Sequence, residues 1–298
     1  MRVCLACGSA VGERSWACSE CGHEPAVVDG FTAFAPAHAA EGPGFREELF
    51  AALAQVEAES FWFRARSELV LWALRTYFPD CQRFMEIGCG TGFVLAGIRS
   101  ANPEMELCGS EVFSAGLAFA AKRVPDARLY QMDARSIPFT AEFDVIGALD
   151  VLEHIDDDER VISEVARALR PGGGFLITVP QHPSLWSVQD DAAGHVRRYT
   201  ARTLRRRIEA AGFEVVRATS FVSLLLPAMM IARRRPRAAC GFEGFDATAE
   251  LRQPKWVNDV LLAVMRIEAS LIRRGISLPA GGSLLMVARK ASAPEVRP

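Results

Sequence analysis

Four cysteines fall within the first 21 residues, as Cys4-x-x-Cys7 and Cys18-x-x-Cys21, two knuckles separated by ten residues. Tetrahedral zinc takes four thiolates presented by two tight turns of this kind, and with sulfur at every position no site stays open for water or substrate. A structural zinc ribbon over residues 1–30 is expected, with Gly8 and Gly22 placed just after each knuckle to allow its turn. Two disulfides would be the other use of these cysteines. The Met-Arg-Val-Cys start has no apolar run of a secretory signal behind it, so a reducing, cytoplasmic setting is expected and argues against them. His23 reads as a solvated neighbour, and Cys81, Cys89, Cys108 and Cys240 are scattered singly.

A second cluster, Glu86-Ile87-Gly88-Cys89-Gly90-Thr91-Gly92, ends a short apolar run with three glycines. Such glycines let the backbone turn sharply and approach a ligand, with the N-terminus of the next helix aimed at it. The spacing separates cofactors: the dinucleotide pattern G-x-G-x-x-G would need glycine where the chain has Phe93 or Leu95, so NAD is disfavoured. Glu111 lies nineteen residues beyond Gly92, where a carboxylate can accept both hydroxyls of a ribose. Asp133, in Gln131-Met132-Asp133-Ala134, offers acceptor-only oxygens to an amino donor such as that of adenine. Either acid alone is an ordinary helix cap or loop residue. Ligand-type residues after three successive strands favour a binding site.

These residues need a scaffold, and from Arg83 onward apolar runs alternate with helical patterns. The runs Phe84–Ile87, Glu106–Glu111, Ala127–Met132, Phe143–Leu149, Phe175–Val179 and Phe213–Ala218 read as strands. The clearest helix starts at Asp156-Asp157-Asp158, carries Val161, Ile162, Val165 and Leu169 on one face, and stops at Pro171-Gly172-Gly173-Gly174. Another runs from Thr200 to Ala211, with Arg202 and Arg205–Arg207 as its solvated face. This βαβ series predicts a mostly parallel sheet covered on both faces, with ligands bound beyond the carboxyl ends of its strands. Upstream, residues 45–78 carry two helical pieces, and the Ala, Pro, Gly and His composition around Ala33–Gly44 reads as a linker over residues 31–44.

The chain has 298 residues, half of them apolar, with 34 Lys plus Arg against 36 Asp plus Glu. That composition excludes disorder and leaves no global field to recruit nucleic acid or an anionic membrane. The longest strongly apolar run, Phe221–Ala232, is broken by Pro227 and falls short of the roughly 20 residues that span a bilayer. Residues 224–282 form an insertion with an apolar Leu224–Ile231 run, a basic Arg233–Arg237 run, and a helical stretch with Val257, Val260, Leu261, Val264, Ile267 and Leu271 on one face. A lid closing an acceptor pocket is one reading, and an interfacial surface for a lipid-like acceptor, with peripheral membrane contact, is the other.

The chain resembles the class I S-adenosylmethionine-dependent methyltransferases (the type 11/12/23-like group) over about residues 60–290. The resemblance rests on Glu86–Gly92, Glu111, Asp133-Ala134, Asp144–Ile155 and Leu169–Gly174. It implies a Rossmann-like, doubly wound, seven-stranded sheet with an antiparallel last strand at Ser283–Arg289, in a domain covering residues 45–298. It further implies S-adenosylmethionine over Gly88, Cys89, Gly90 and Gly92, its ribose on Glu111, its adenine near Asp133 and Ala134, and its methionine end facing Glu86 and Asp150. A narrower match, Asp150-x-x-Glu153-His154, is similar to a string that in some O-methyltransferases supplies ligands to a divalent ion. Here Asp stands where those families usually have Glu, and an orienting role for His154 is preferred.

His195, in the Gly194–Tyr199 loop after the fifth strand, is the first candidate for a general base and His154 the second. Asp150 and Glu153 are expected to favour protonated His154, whereas Arg197 and Arg198 are expected to keep His195 neutral. The resulting expectation is methyl transfer to a small or lipid-like metabolite at oxygen. RNA methylation, docked through the ribbon and the arginines, is the alternative within the same chemistry, with nucleic acid the less favoured partner. A non-catalytic cofactor-binding scaffold is the alternative outside it.

Overall fold

Short, largely apolar runs build the strands, and apolar residues three and four apart build the helices between them. The computed structural model describes residues 1–40, 48–233 and 253–291. The N-terminus holds β1 (Arg2–Val3), β2 (Ala10–Val11), β3 (Ala26–Val28) and β4 (Phe31–Ala33), followed by α1 (Glu48–Val56) and α2 (Phe61–Tyr77). The alternation then begins: β5 (Arg83–Ile87), α3 (Phe93–Ala101), β6 (Glu106–Glu111), α4 (Ser114–Arg123), β7 (Arg128–Gln131), β8 (Phe143–Leu149), α5 (Asp158–Ala168) and β9 (Leu169–Pro180). The remainder contains α6 (Val188–Ala193), α7 (Ala201–Ala210), β10 (Phe213–Phe221), α8 (Leu226–Arg233), α9 (Lys255–Arg273) and β11 (Ser283–Lys290).

One sheet runs in the order β10-β11-β9-β8-β5-β6-β7-β4-β3. Its strands from β9 across to β4 are parallel, and β11 lies antiparallel between β9 and β10. Phe84, Leu107, Val145, Leu176 and Leu285 fill one face of this sheet, and Met85, Ile146, Phe175, Ile177 and Met286 the other. The expected seven strands are β5 to β11, and the β3–β4 hairpin extends them to nine, which corrects the strand count. The hairpin's turn is Asp29-Gly30 with both φ positive, at 51° and 86°, the two-residue loop whose twist suits paired strands.

The same hairpin corrects the boundaries drawn at residue 30. Residues 31–33 are β4, paired in parallel with Tyr130 and Gln131, and Pro36–His38 forms a 3-10 turn; residues 41–44 lie outside the described residues. The cysteine knuckles are seated on the domain rather than tethered to it. Trp16 packs edge-on against Phe34, Phe139 and Tyr130, with ring centroids 4.6, 5.6 and 5.8 Å away. Val3 donates its backbone N–H to Pro138 at 3.0 Å, and the N-terminal amine pairs with Glu142.

In the insertion, α9 packs against α2 and β10 and buries Asn258, Leu262, Met265, Glu268, Ala269 and Ile272. The face expected from the sequence is wrong: Val260 and Ile267 are 55% and 59% exposed. Apolar residues occupy both sides of this helix, and two polar ones decide which is buried. Asn258 Oδ1 accepts the Phe61 N–H at 3.0 Å, and Glu268 accepts those of Val222, Ser223 and Leu224 at 2.6–2.8 Å. Arg234–Arg237 and Cys240 lie outside the described residues. No described helix is long and apolar enough to cross a membrane.

Candidate functional site

Loops leaving the carboxyl ends of β5, β6, β7 and β8 converge on one cavity of about 560 Å³. It is lined by every cofactor residue expected from the sequence except Gly92: Glu86, Gly88, Cys89, Gly90, Glu111, Asp133, Ala134 and Asp150. Gly92 sits behind the cavity wall as the N-cap of α3, at φ 75°, and a Cβ there would lie 2.9 Å from Ala120 Cα. Gly88, at φ 64°, could not carry a Cβ without colliding with Val151. Both glycines are required by backbone conformation and by space.

Glu111 is fixed by backbone donors: Gly90 N–H reaches Oε2 at 3.0 Å and Val112 N–H reaches Oε1 at 2.8 Å. Burial holds its pKa above the usual carboxylate range in spite of those bonds. Asp133 is bound by the Arg135 guanidinium at 2.6–3.0 Å, which outweighs burial and keeps its pKa low. Burial keeps the Cys89 thiol well above its ordinary value and therefore protonated. Asp150, at φ 58°, pairs with Arg66 and accepts from Thr178 Oγ1 at 3.1 Å. Glu86 differs from all of these. It is buried, its Oε2 has no hydrogen-bond partner, and burial pushes its pKa from the ordinary 4.5 to about 8. A buried orphan carboxyl in the cavity wall fits a ligand that brings a cationic donor, as the ammonium of S-adenosylmethionine would.

Sequence reasoning missed the wall opposite these loops. Leu49, Phe50 and Leu53 of α1, then Trp62, Phe63 and Arg66 at the start of α2, close the cavity. Arg66 lies under the Trp62 ring at 4.6 Å, with its Nε buried and unpartnered. Glu57, also in the wall, accepts from Thr91 Oγ1 at 2.7 Å and pairs with Arg123. The helical pattern of residues 45–78 was visible, but nothing in its periodicity says which face meets a ligand. The described residues of the 224–282 insertion do not line the cavity, and α1 and α2 close its wall. Asn258 of α9 supports that wall indirectly, through the N-terminus of α2.

His154 and His195 meet in the same cavity, with ring centroids 4.8 Å apart. His195 Nδ1 lies 2.9 Å from Asp190 Oδ1, which also accepts from Arg198 Nε at 2.7 Å. Asp190 Oδ2 takes the backbone N–H of Ser187 at 2.9 Å. Burial would raise Asp190, but His195 and Arg198 outweigh it and hold its pKa down to about 2. A fixed carboxylate thus orients one imidazole nitrogen and leaves Nε2 for the cavity. The arginines act differently from expectation: Arg198 binds Asp190 rather than opposing His195 directly, and Arg197 donates to Ile155 and Asp156 carbonyls at 2.6 and 2.8 Å. The expectation of a protonated His154 is overturned, because burial, then the His195 charge, pushes its pKa down to about 3.

Glu153 is fully buried, neither carboxylate oxygen has a hydrogen-bond partner, and burial followed by Asp150 holds its pKa well above the usual range. One ligand atom each of Glu153, His154 and His195 lie within 4.8 Å of one another. Asp150 is not among them, which corrects the Asp150–Glu153–His154 set: Arg66 and Thr178 already hold it. One carboxylate and two imidazoles form a softer donor set than the oxygen-rich surroundings magnesium prefers.

At the other end of the chain the Cys4, Cys7, Cys18 and Cys21 sulfurs also lie within 4.8 Å of one another. The Cys4–Cys21 and Cys7–Cys18 separations are 3.7 and 3.6 Å. Zinc–sulfur bonds of about 2.3 Å around a regular tetrahedron place the sulfurs about 3.8 Å apart, so the set fits the metal. Each knuckle is closed by a backbone bond, Gly8 N–H to Cys4 and Gly22 N–H to Cys18, at 2.8 and 2.9 Å.

A family profile described as a methyltransferase domain matches residues 48–218. A probable S-adenosylmethionine-dependent methyltransferase of Mycolicibacterium smegmatis is 31% identical over 160 residues, covering 53% of this chain and 61% of that protein. The 27-O-demethylrifamycin SV methyltransferase of Amycolatopsis mediterranei is 27% identical over 230 residues, covering 70% and 77%. The first two curated relatives are spanned over only 61% and 44% of their own lengths. Among solved structures, the [4+2]-cyclase SpnF superposes with a TM-score of 0.52 at 22% identity, covering 78% of this chain and 84% of that one.

Proposed function

The chain belongs to the methyltransferase-domain family, and on that premise we propose that it transfers a methyl group from S-adenosylmethionine to oxygen of a small or lipid-like metabolite. The observation that carries this reading is His195, held by Asp190, in the wall of the cavity that Glu86, Glu111 and Asp133 also line. When bound, the cofactor supplies an electrophilic methyl group. Glu86 takes its ammonium, Glu111 its ribose hydroxyls and Asp133, with Ala134, its adenine edge. Phe50, Trp62 and Phe63 exclude water from the cofactor. His195 Nε2 accepts the acceptor's hydroxyl proton while buried Asp190 holds the ring, and neutral His154 lines the acceptor side. An amine acceptor would have less need of such a base, which is why oxygen is preferred.

We assign the four cysteines to one structural zinc, supported by their sulfur–sulfur separations. A second metal is the less preferred alternative, and the two unpartnered Glu153 oxygens are the observation behind it. A divalent ion on Glu153, His154 and His195 would hold acceptor oxygens directly, and His195 would then be a ligand rather than a base. The exposed Trp256, Val260 and Ile267 on α9 support a lipid-facing surface.

The test is calorimetric titration with S-adenosylmethionine, followed by S-adenosylhomocysteine release with hydroxylated metabolites, amines, lipid-like alcohols and tRNA. Turnover with a hydroxylated compound is expected. Salt-sensitive tRNA methylation would replace the proposal with the RNA reading, and cofactor binding without turnover on any acceptor would favour a scaffold.

A further inference from the structure

Residues 29–39 physically join the cysteine cluster to the two loops that carry Glu111 and Asp133. On the ribose side, Ser114 N–H donates to the Ala39 carbonyl at 3.0 Å, and Ser114 Oγ to Asp29 at 2.6 Å. On the adenine side, Phe34 N–H donates to the Gln131 carbonyl at 2.8 Å, and Ala35 N–H to Gln131 Oε1 at 3.1 Å. The buried Gln131 amide then ties the segment to both loops, donating to the carbonyls of Ala35 and Val112 at 2.8 and 2.7 Å. His38, at the end of the 3-10 turn, lines the cavity and lies close enough to Asp133 for its charge to lower the Asp133 pKa.

The other end of this strap depends on the ribbon. Trp16 anchors the ribbon on Phe34, Tyr130 and Phe139, residues of the strap, of β7 and of the loop before β8. The ribbon's own buried core is only Cys4, Val11 and Cys18, with Trp16 against it. A core of that size does not hold a fold, so the knuckles owe their structure to whatever joins the four sulfurs.

We propose that residues 29–39 are the outer wall of the adenine–ribose subsite, with His38 touching the cofactor, and that metal binding by the cysteine cluster is thereby coupled to cofactor affinity. This rests on the zinc and cofactor assignments made above. Loss of zinc unfolds the knuckles, releases Trp16, and frees the strap from the Glu111 and Asp133 loops. Linkage makes the effect reciprocal: whatever zinc does for cofactor affinity, cofactor does for zinc affinity.

The experiment uses the full chain. Zinc content of the purified protein is measured first, then S-adenosylhomocysteine affinity by calorimetry before and after chelation and after zinc is restored. Affinity is expected to fall about 10-fold on stripping and to return with zinc. Saturating S-adenosylhomocysteine is expected to slow zinc transfer to a chromogenic chelator by a similar factor, a readout independent of turnover. Asp29 is exposed at positive φ, so Asp29→Gly removes the shorter of the two Ser114 Oγ hydrogen bonds, leaving the 3.4 Å one to the Ala39 carbonyl, without backbone strain. It should weaken cofactor binding about 3-fold with zinc retained, and Asp29→Asn should restore it. His38→Ala should also keep zinc and weaken binding. Unchanged affinity after stripping, or zinc release indifferent to cofactor, overturns the coupling; unchanged affinity in His38→Ala overturns the wall. A purified chain without zinc would instead refute the metal assignment, and absence of cofactor binding would refute the cofactor assignment.

Discussion

Replacing Glu86 by glutamine should stabilise the unliganded protein and weaken its hold on S-adenosylmethionine. Glu86 is buried, with one oxygen unpartnered, and its pKa rises from the ordinary 4.5 to about 8 on folding. Between those values the unfolded chain has an ionised Glu86 and the folded chain a protonated one. The native state therefore binds the extra proton, and stability contributed by this group falls as pH rises from 4.5 towards 8. At pH 7 the cost is about 3 kcal/mol, at about 1.36 kcal/mol per pH unit. Glutamine does not titrate, so Glu86→Gln escapes it. Its buried amide brings unmet donors of its own, which makes that figure a ceiling on the gain. Urea melts at pH 5, 6 and 7 should show the variant pulling ahead of the wild type as pH rises. Calorimetry should show the opposite for function. Wild-type affinity should tighten between pH 6 and 7.5, with proton release on binding, because the ligand's ammonium requires ionised Glu86. The variant should bind weakly with no such slope. A variant less stable than the wild type at pH 7, or one with unchanged affinity, would refute the reasoning.

His195→Ala should lower turnover by about 100-fold or more with cofactor affinity nearly unchanged, measured by steady-state rates and calorimetry. Asp190→Asn should cost about 2 kcal/mol at pH 7: the folded pKa of Asp190 is about 2 against an ordinary 3.8, so its contribution is present above 3.8 and lost as pH falls through 2. Acid unfolding of the variant should accordingly lack that loss. For the second-metal reading, elemental analysis after equilibration with manganese or zinc should find a divalent ion beyond the cysteine-bound one, absent from Glu153→Gln; equal content in both proteins would leave Glu153 a buried neutral acid. Trp256→Asp with Ile267→Asp should leave the melting temperature nearly unchanged, since both side chains are exposed, and should abolish co-sedimentation with lipid vesicles if α9 faces a lipid surface.

The start of the parallel core was legible because the loop after β5 needs glycines for backbone reasons. Gly88 and Gly92 sit at positive φ against Val151 and Ala120, and no side chain could replace them. The β3–β4 hairpin was just as strongly written, as Asp29-Gly30 between Ala-Val-Val and Phe-Thr-Ala, yet its strands are three residues each. Strands that short exist only by pairing with a distant edge, here β7, and no local pattern announces that edge. The composition of the segment, read as a linker, concealed hydrogen bonds made by backbone groups of Phe34, Ala35 and Ala39, which composition does not describe.

The site divides along the same physical line. Glu86, Glu111 and Asp133 reach the cavity wall from the carboxyl ends of β5, β6 and β7, and strand ends are local features of the sequence. Arg66, Glu57 and His38 come from helices or turns far away in sequence and reach the cavity only through packing, so no spacing predicts them. The protonation of His154 shows the limit most sharply. Its sequence neighbours Asp150 and Glu153 are acids, and charge alone would protonate it. In the fold Asp150 is taken by Arg66, Glu153 is itself held protonated by burial, and the desolvation of the imidazole decides the sign. Two residues that sequence joins are thereby uncoupled, while Asp190 Oδ1 and His195 Nδ1 are brought to 2.9 Å by the fold.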